Sequence, residues 1–154
     1  MSVYATLLIF HSYYRWFVVL LLLTQMIWLA YHSYRHSVFL QSHLWILLLC
    51  AALYDIQFIT GWILYFHSTI AQQFWVDPPA MVKLREIRFF GIEHMSMMSL
   101  AVVLVNIFTW RSRKRIGQKK VFLRLLKWYI LVLVIILGSI PWSFSPFTRR
   151  PDFR

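Results

Sequence analysis

His11 and His94 are the residues of this chain best suited to chemistry. Each stands about one turn inside the end of a long apolar run, where an ionisable side chain is costly to keep. In a protein of four alternating membrane spans the first and third run in the same direction, so both imidazoles reach one level of the bilayer. Two imidazoles facing each other there can hold a haem iron. The competing reading is a pair of histidines hydrogen-bonded between helices without a ligand, since bundles readily bury polar groups at helix contacts.

The remaining polar residues in the apolar runs are unevenly placed. His11, Ser12 and Arg15 lie toward one end of the first run, Asp55 and Gln57 near the middle of the second, and Glu93 beside His94 in the third; the fourth offers almost no polarity before Ser139. His11 and Arg15 are four apart and share a helix face, as do His94 and Met98. A charge near the bilayer centre requires a partner, so the pattern predicts an Arg15–Asp55 ion pair with Gln57 available to bridge it. That pair reads as structural, or as a group that fixes a haem propionate or passes protons. Glu93, with Arg15 and Gln57, would supply a proton acceptor and hydrogen bonds to a quinone carbonyl.

Other candidate ligands have plainer explanations beside them. Met95, Met97 and Met98 offer thioethers suited to Cu(I), although methionine in an apolar helix ordinarily packs. His32, His36 and His43 gather where the first two runs meet, at a spacing that suits either a metal or an unliganded interfacial cluster. Cys50 is the single cysteine and lies inside an apolar run, which argues against disulfides, cysteine-ligated zinc and iron–sulfur clusters within one chain. No glycine-rich phosphate loop, Gly-x-Ser-x-Gly elbow, zinc-protease motif or catalytic carboxylate pair is present, so hydrolysis and phosphoryl transfer are poor fits. The glycine-interrupted spans and inverted repeat of a secondary transporter are also missing.

The elements that must position these residues follow from hydropathy. Of 154 residues 60% are hydrophobic and 19% aromatic, a composition suited to a polytopic membrane protein and to one domain, 1–154. A hydrocarbon core of about 30 Å needs about 20 apolar residues per helix. Four stretches qualify, near 5–31, 44–66, 88–110 and 122–142. The first contains His11 and Arg15 and reads as a retained span rather than a cleaved signal. Short connections predict an all-α, up-down-up-down four-helix bundle in the membrane.

The net charge of +11 sits mostly beside the spans, where it sets topology and meets anionic lipid rather than nucleic acid. The densest basic segment, 111–120, is expected in the cytoplasm, which puts both termini on the outer side together with Lys83, Arg85, Arg88, Arg149, Arg150 and Arg154. In the long connection from His67 to Ile87, Asp77-Pro78-Pro79 predicts a capped helix start, with 78–88 as an amphipathic interfacial segment leading into the third span and Gly91 as a bend. Trp75, Trp142, Phe144 and Phe147 are expected as interfacial aromatics on that side.

Four stretches carry a resemblance: His11-Ser12-Tyr13-Tyr14-Arg15-Trp16, Gln57-Phe58-Ile59-Thr60-Gly61-Trp62-Ile63-Leu64-Tyr65-Phe66, Arg88-Phe89-Phe90-Gly91-Ile92-Glu93-His94 and Ile140-Pro141-Trp142. In order and spacing, over nearly the whole chain, they resemble a family of short, four-span bacterial membrane proteins often labelled cytochrome b-like. The resemblance implies a haem, and the leading expectation is a b-type haem protein of the bacterial inner membrane that moves single electrons within a respiratory or other membrane complex, with quinone as a candidate exchange partner. The family often has histidine where this chain has Asp55, so the resemblance leaves His11 and His94 as the axial candidates, with Arg15 or Arg88 to pair with propionates. A reading from a different class is a cofactor-free accessory subunit that packs against other membrane subunits or against copies of itself.

Overall fold

The computed structural model describes residues 2–142, which are helical with no strand among them. In chain order the helices are α1 (Val3–Tyr34), α2 (Gln41–His67), the short α3 (Thr69–Val76), α4 (Pro78–Met81) and α5 (Arg85–Arg88), then α6 (His94–Ser112) and α7 (Val121–Ser139). Four helical stretches, α1, α2, α7 and the continuous run Arg85–Arg115 that contains α6, are long and apolar enough to cross a membrane. By helical rise α1 alone is about 48 Å long, more than a hydrocarbon core requires. Phe144, Phe147, Arg149, Arg150 and Arg154 lie outside the described residues.

The helices start where side chains can satisfy their free N–H groups. Ser2 Oγ accepts from Ala5 N at 3.3 Å at the head of α1, and Leu40 N donates to His43 Nδ1 at 3.0 Å at the head of α2. The connections after α1 and after α6 are tied together, because Gly117 N donates to Phe39 O at 2.8 Å and Phe39 N to Gln118 O at 3.2 Å. Gly117 has φ +88°, a left-handed conformation that glycine adopts without strain.

α1 packs beside α2 and α7, α2 beside α6, and α6 beside α7, closing a ring in which α1 and α6 face each other across the centre. Leu22, Leu29, Leu47, Phe122 and Tyr129 are fully buried there, and Cys50 packs among them as a small hydrophobe. The outward faces carry Leu20, Ile27, Trp45, Leu49 and Val134, while Ser12, Gln25, Thr60, Thr109 and Ser112 are buried. An apolar exterior around a partly polar interior suits helices whose surroundings are themselves apolar.

The connection between α2 and α6 departs from expectation. Ser68 caps an unpredicted helix, α3, whose Ala71 and Phe74 are buried. Asp77 does cap a helix, with Ala80 N donating to its Oδ1 at 3.3 Å, but α4 ends after four residues. The amphipathic segment 78–88 is therefore interrupted, and the third long helix starts at Arg85 rather than at Pro78. Gly91 lies within a π-helical turn, Phe89–Glu93, which closes when His94 N donates to Phe89 O. Such insertions occur frequently at functional sites because they turn the following side chain relative to the preceding helix.

Candidate functional site

One elongated cavity runs down the centre of the bundle from the end where α1 begins. His11 and Arg15 reach it from α1, Gln57 and Trp62 from α2, and His94 and Met98 from α6. Its wall on α1 extends from Leu8 to Leu22, about 21 Å by helical rise. The volume is about 190 Å³.

His94 is fixed from outside the cavity. Its Nδ1 lies 2.7 Å from the backbone oxygen of Ser139, which makes Nδ1 the N–H donor and leaves Nε2 with a lone pair. This is the arrangement that orients metal-ligating histidines. Ser139 therefore acts through its carbonyl at the C-terminal end of α7, where helix carbonyls lack intrahelical partners.

His11 packs against α2 at a glycine. A Cβ at Gly61 would stand 3.0 Å from His11 Cε1, so any larger residue there would press on the ring. Gln57 Nε2 donates to the backbone oxygen of His11 at 3.0 Å and lies 3.4 Å from its ring Nε2. His11 Nδ1 is buried without a hydrogen-bond partner, as are Gln57 Oε1 and Trp62 Nε1 on the same cavity. Each imidazole thus keeps one ring nitrogen without a partner: Nε2 of His94, which has a lone pair, and Nδ1 of His11, which carries the ring proton while the Gln57 amide faces Nε2; buried groups of this kind ordinarily have partners. The two rings and Arg15 are close enough for their charges to interact.

The other predicted site residues lie elsewhere. Asp55 accepts from Asn106 Nδ2 at 2.8 Å, so the expected Arg15–Asp55 ion pair is not formed. Asp55 and Gln57 are two residues, or about 200°, apart on one helix, and Gln57 takes the cavity face. Arg88 Nε pairs with Glu93 Oε1 at 2.7 Å, and Arg88 also donates to Val82 O at 3.2 Å. Neither lines the cavity, so the structure does not bring Arg88 and Glu93 together with His11 and His94. Adjacent residues on a helix do not face the same way, and Glu93 turns outward where His94 turns in.

The methionine group is divided: Met95 and Met98 line the cavity, whereas Met97 is exposed. At the opposite end His32 stacks on Phe122, with His43 tilted against it at a ring-centroid distance of 4.9 Å, in a cluster with Trp28 and Phe39, while His36 is exposed at φ 49°. Among the described residues no three His, Cys, Asp or Glu side chains converge on a metal-sized site.

Replacing Asn106 with leucine is expected to lower stability by about 1–3 kcal/mol, because Asp55 would keep its half-buried position without a donor. Asp55→Asn retains an acceptor and should cost less than Asn106→Leu. Denaturant titration in mixed micelles checks both. In comparisons with known proteins, this chain matches no family model, no curated protein and no solved structure.

Proposed function

We propose that this chain is an integral membrane protein of four alternating spans that holds a b-type haem between α1 and α6 and passes single electrons. The observation that carries the reading is the placement of His11 and His94 on one cavity from opposite sides of the bundle, each with a ring nitrogen that has no partner. Bound haem supplies a one-electron couple whose potential depends on axial ligation and burial.

The rest falls to the chain. His94 is held in one tautomer by the Ser139 carbonyl, His11 has room for its ring because position 61 of α2 is glycine, and Arg15 adds positive charge one turn below His11 for an acidic substituent. Apolar walls exclude water. At about 190 Å³ the cavity takes a single ring system as it stands, against ~150 Å³ for an engineered cavity that binds benzene. A porphyrin needs the walls to part, and Met95 and Met98 on the α6 wall are unbranched side chains able to repack.

That volume favours one second reading, a quinone headgroup hydrogen-bonded by Gln57 and the histidines. In either case the positive-inside rule puts the 111–120 loop in the cytoplasm and the cavity end, with both termini, on the outer side of a bacterial inner membrane. Partners are then the lipid bilayer and further membrane subunits or copies of the chain, with no nucleic acid.

The test is an oxidised and a dithionite-reduced absorption spectrum of purified, haem-supplemented protein with His11→Ala and His94→Ala alongside. A Soret band with sharp reduced α and β bands, lost in either variant, is expected. A featureless spectrum from folded protein would overturn the haem reading in favour of an accessory subunit. Quinone-dependent stabilisation in that same sample would select the second reading.

A further inference from the structure

A second cavity, of about 290 Å³, lies where α6 ends and α7 begins. Arg111, on its wall, is about 26 Å along α6 from His94 by helical rise. Arg111, Arg115 and Arg124 line the cavity together with Phe108, Val121 and Leu125. None of these three guanidinium groups has a hydrogen-bond or ion-pair partner among the described residues, whereas neighbouring Arg113 lies over the Trp110 ring at 4.1 Å. Ser112, also on the wall, already donates to Thr109 O at 2.6 Å.

The charge around this cavity is one-sided. Residues 104–130 contain eight Lys and Arg and no Asp or Glu, and residues 31–54 add Arg35 and again no carboxylate. Like charges brought around one cavity repel, and an anion shared between them removes that cost. Arginine forks suit a phosphate, which they bind with paired N–H groups. The floor of Phe108, Val121 and Leu125 and the exposed Ile107, Leu123 and Trp128 on the adjoining faces suit a ligand whose anionic head continues into hydrocarbon.

We propose that Arg111, Arg115 and Arg124 bind the phosphate of an anionic glycerophospholipid, its acyl chains lying along the apolar faces of α6 and α7. Basic pockets between helices on the cytoplasmic side are suited to such headgroups. The site rests on the membrane reading of the fold and is independent of haem.

Native mass spectrometry and thermal unfolding of delipidated protein in neutral detergent test the proposal, with phosphatidylglycerol, phosphatidylcholine and inorganic phosphate as separate probes. Phosphatidylglycerol alone should remain bound and raise the unfolding midpoint. Arg115→Gln and Arg124→Gln should each weaken its binding about fivefold, the equivalent of ~1 kcal/mol per basic residue. Lys119→Gln and Lys120→Gln, which remove the same charge outside the cavity, should leave it within twofold.

Equal retention of phosphatidylcholine, equal losses in the lysine variants, or full reproduction of the effect by inorganic phosphate would each overturn it. Should the glutamine variants fail to fold, Arg115→Lys and Arg124→Lys keep the charge, lose the fork and should still weaken binding. Alkaline carbonate extraction of membranes separates the two readings. A chain that is extracted overturns the membrane reading and this site with it; a retained chain without phosphatidylglycerol preference overturns the site alone.

Discussion

A single methyl group on Gly91 is expected to lower stability by about 1–3 kcal/mol, and Phe74→Ala is not expected to restore it. A Cβ at Gly91 would clash with Phe74 Cβ, an atom held next to the backbone of α3, and stand 2.6 Å from Phe74 Cγ. Alanine at position 74 keeps that Cβ, so the crowding persists. The helix cannot simply lift, because Tyr65 donates to Gly91 O at 2.8 Å and Trp75 Nε1 donates to the Tyr65 hydroxyl at 2.6 Å. The π turn must move instead, and His94, whose N–H closes that turn, moves with it.

Gly138→Ala is the control, since a Cβ there meets nothing within 4 Å. It should be neutral or stabilising by up to about 1 kcal/mol, the usual gain of alanine over glycine inside a helix. Thermal unfolding of both variants, with Soret absorbance after haem supplementation as a second readout, checks the pair. A Gly91→Ala protein as stable as its parent would mean that α3 does not press on the π turn.

How much of this was legible in the sequence depends on the kind of signal. Apolar runs long enough for four membrane-spanning helices are visible in composition, and the chain forms helices over them with ends displaced by a few residues. His11, Arg15, Gln57 and His94 stand out because each is polar in an apolar run, and all four line one cavity. Pairing was not legible. The Arg15–Asp55 prediction matched depth along the bundle but not azimuth, and Asp55 faces Asn106 while Gln57 faces His11.

α3 was missed because Gln72 and Gln73 make Thr69–Val76 read as a polar loop. The available signal was Ser68 followed three residues later by Ala71, the spacing of an N-cap. The same emphasis on charged residues hid the neutral polar groups. The fourth run looked featureless before Ser139, yet it contributes Tyr129, and the Ser139 carbonyl that orients His94 leaves no trace in side-chain chemistry.

Those neutral groups give the second large prediction. Gln25→Leu should cost about 2 kcal/mol, and adding Tyr54→Phe and Tyr129→Phe should return most of it. Gln25, only 4% exposed, accepts from the Tyr54 hydroxyl at 2.5 Å and donates to the Tyr129 hydroxyl at 3.3 Å; Tyr129 in turn shares a hydrogen bond of 3.3 Å with Thr109 Oγ1. One residue from each of the four long helices takes part. Leucine at 25 leaves a buried phenol without its acceptor and another without its donor, and each stranded group carries a desolvation cost of about 1–3 kcal/mol. Replacing the phenols as well removes both groups that would be stranded and leaves only the Thr109 hydroxyl to turn to a carbonyl of its own helix, which is why loss and recovery are both expected and why the three changes should be far from additive. Denaturant titration of the single and triple variants in mixed micelles gives the two free energies. Haem or quinone binding by the triple variant adds what stability alone cannot: apolar faces permit small rotations of one helix against another, while four hydroxyl and amide groups in one chain of bonds permit one setting. A triple variant that regains stability but loses haem or quinone binding that its parent shows would assign the network to the rotational register that brings His11 and His94 to the same cavity.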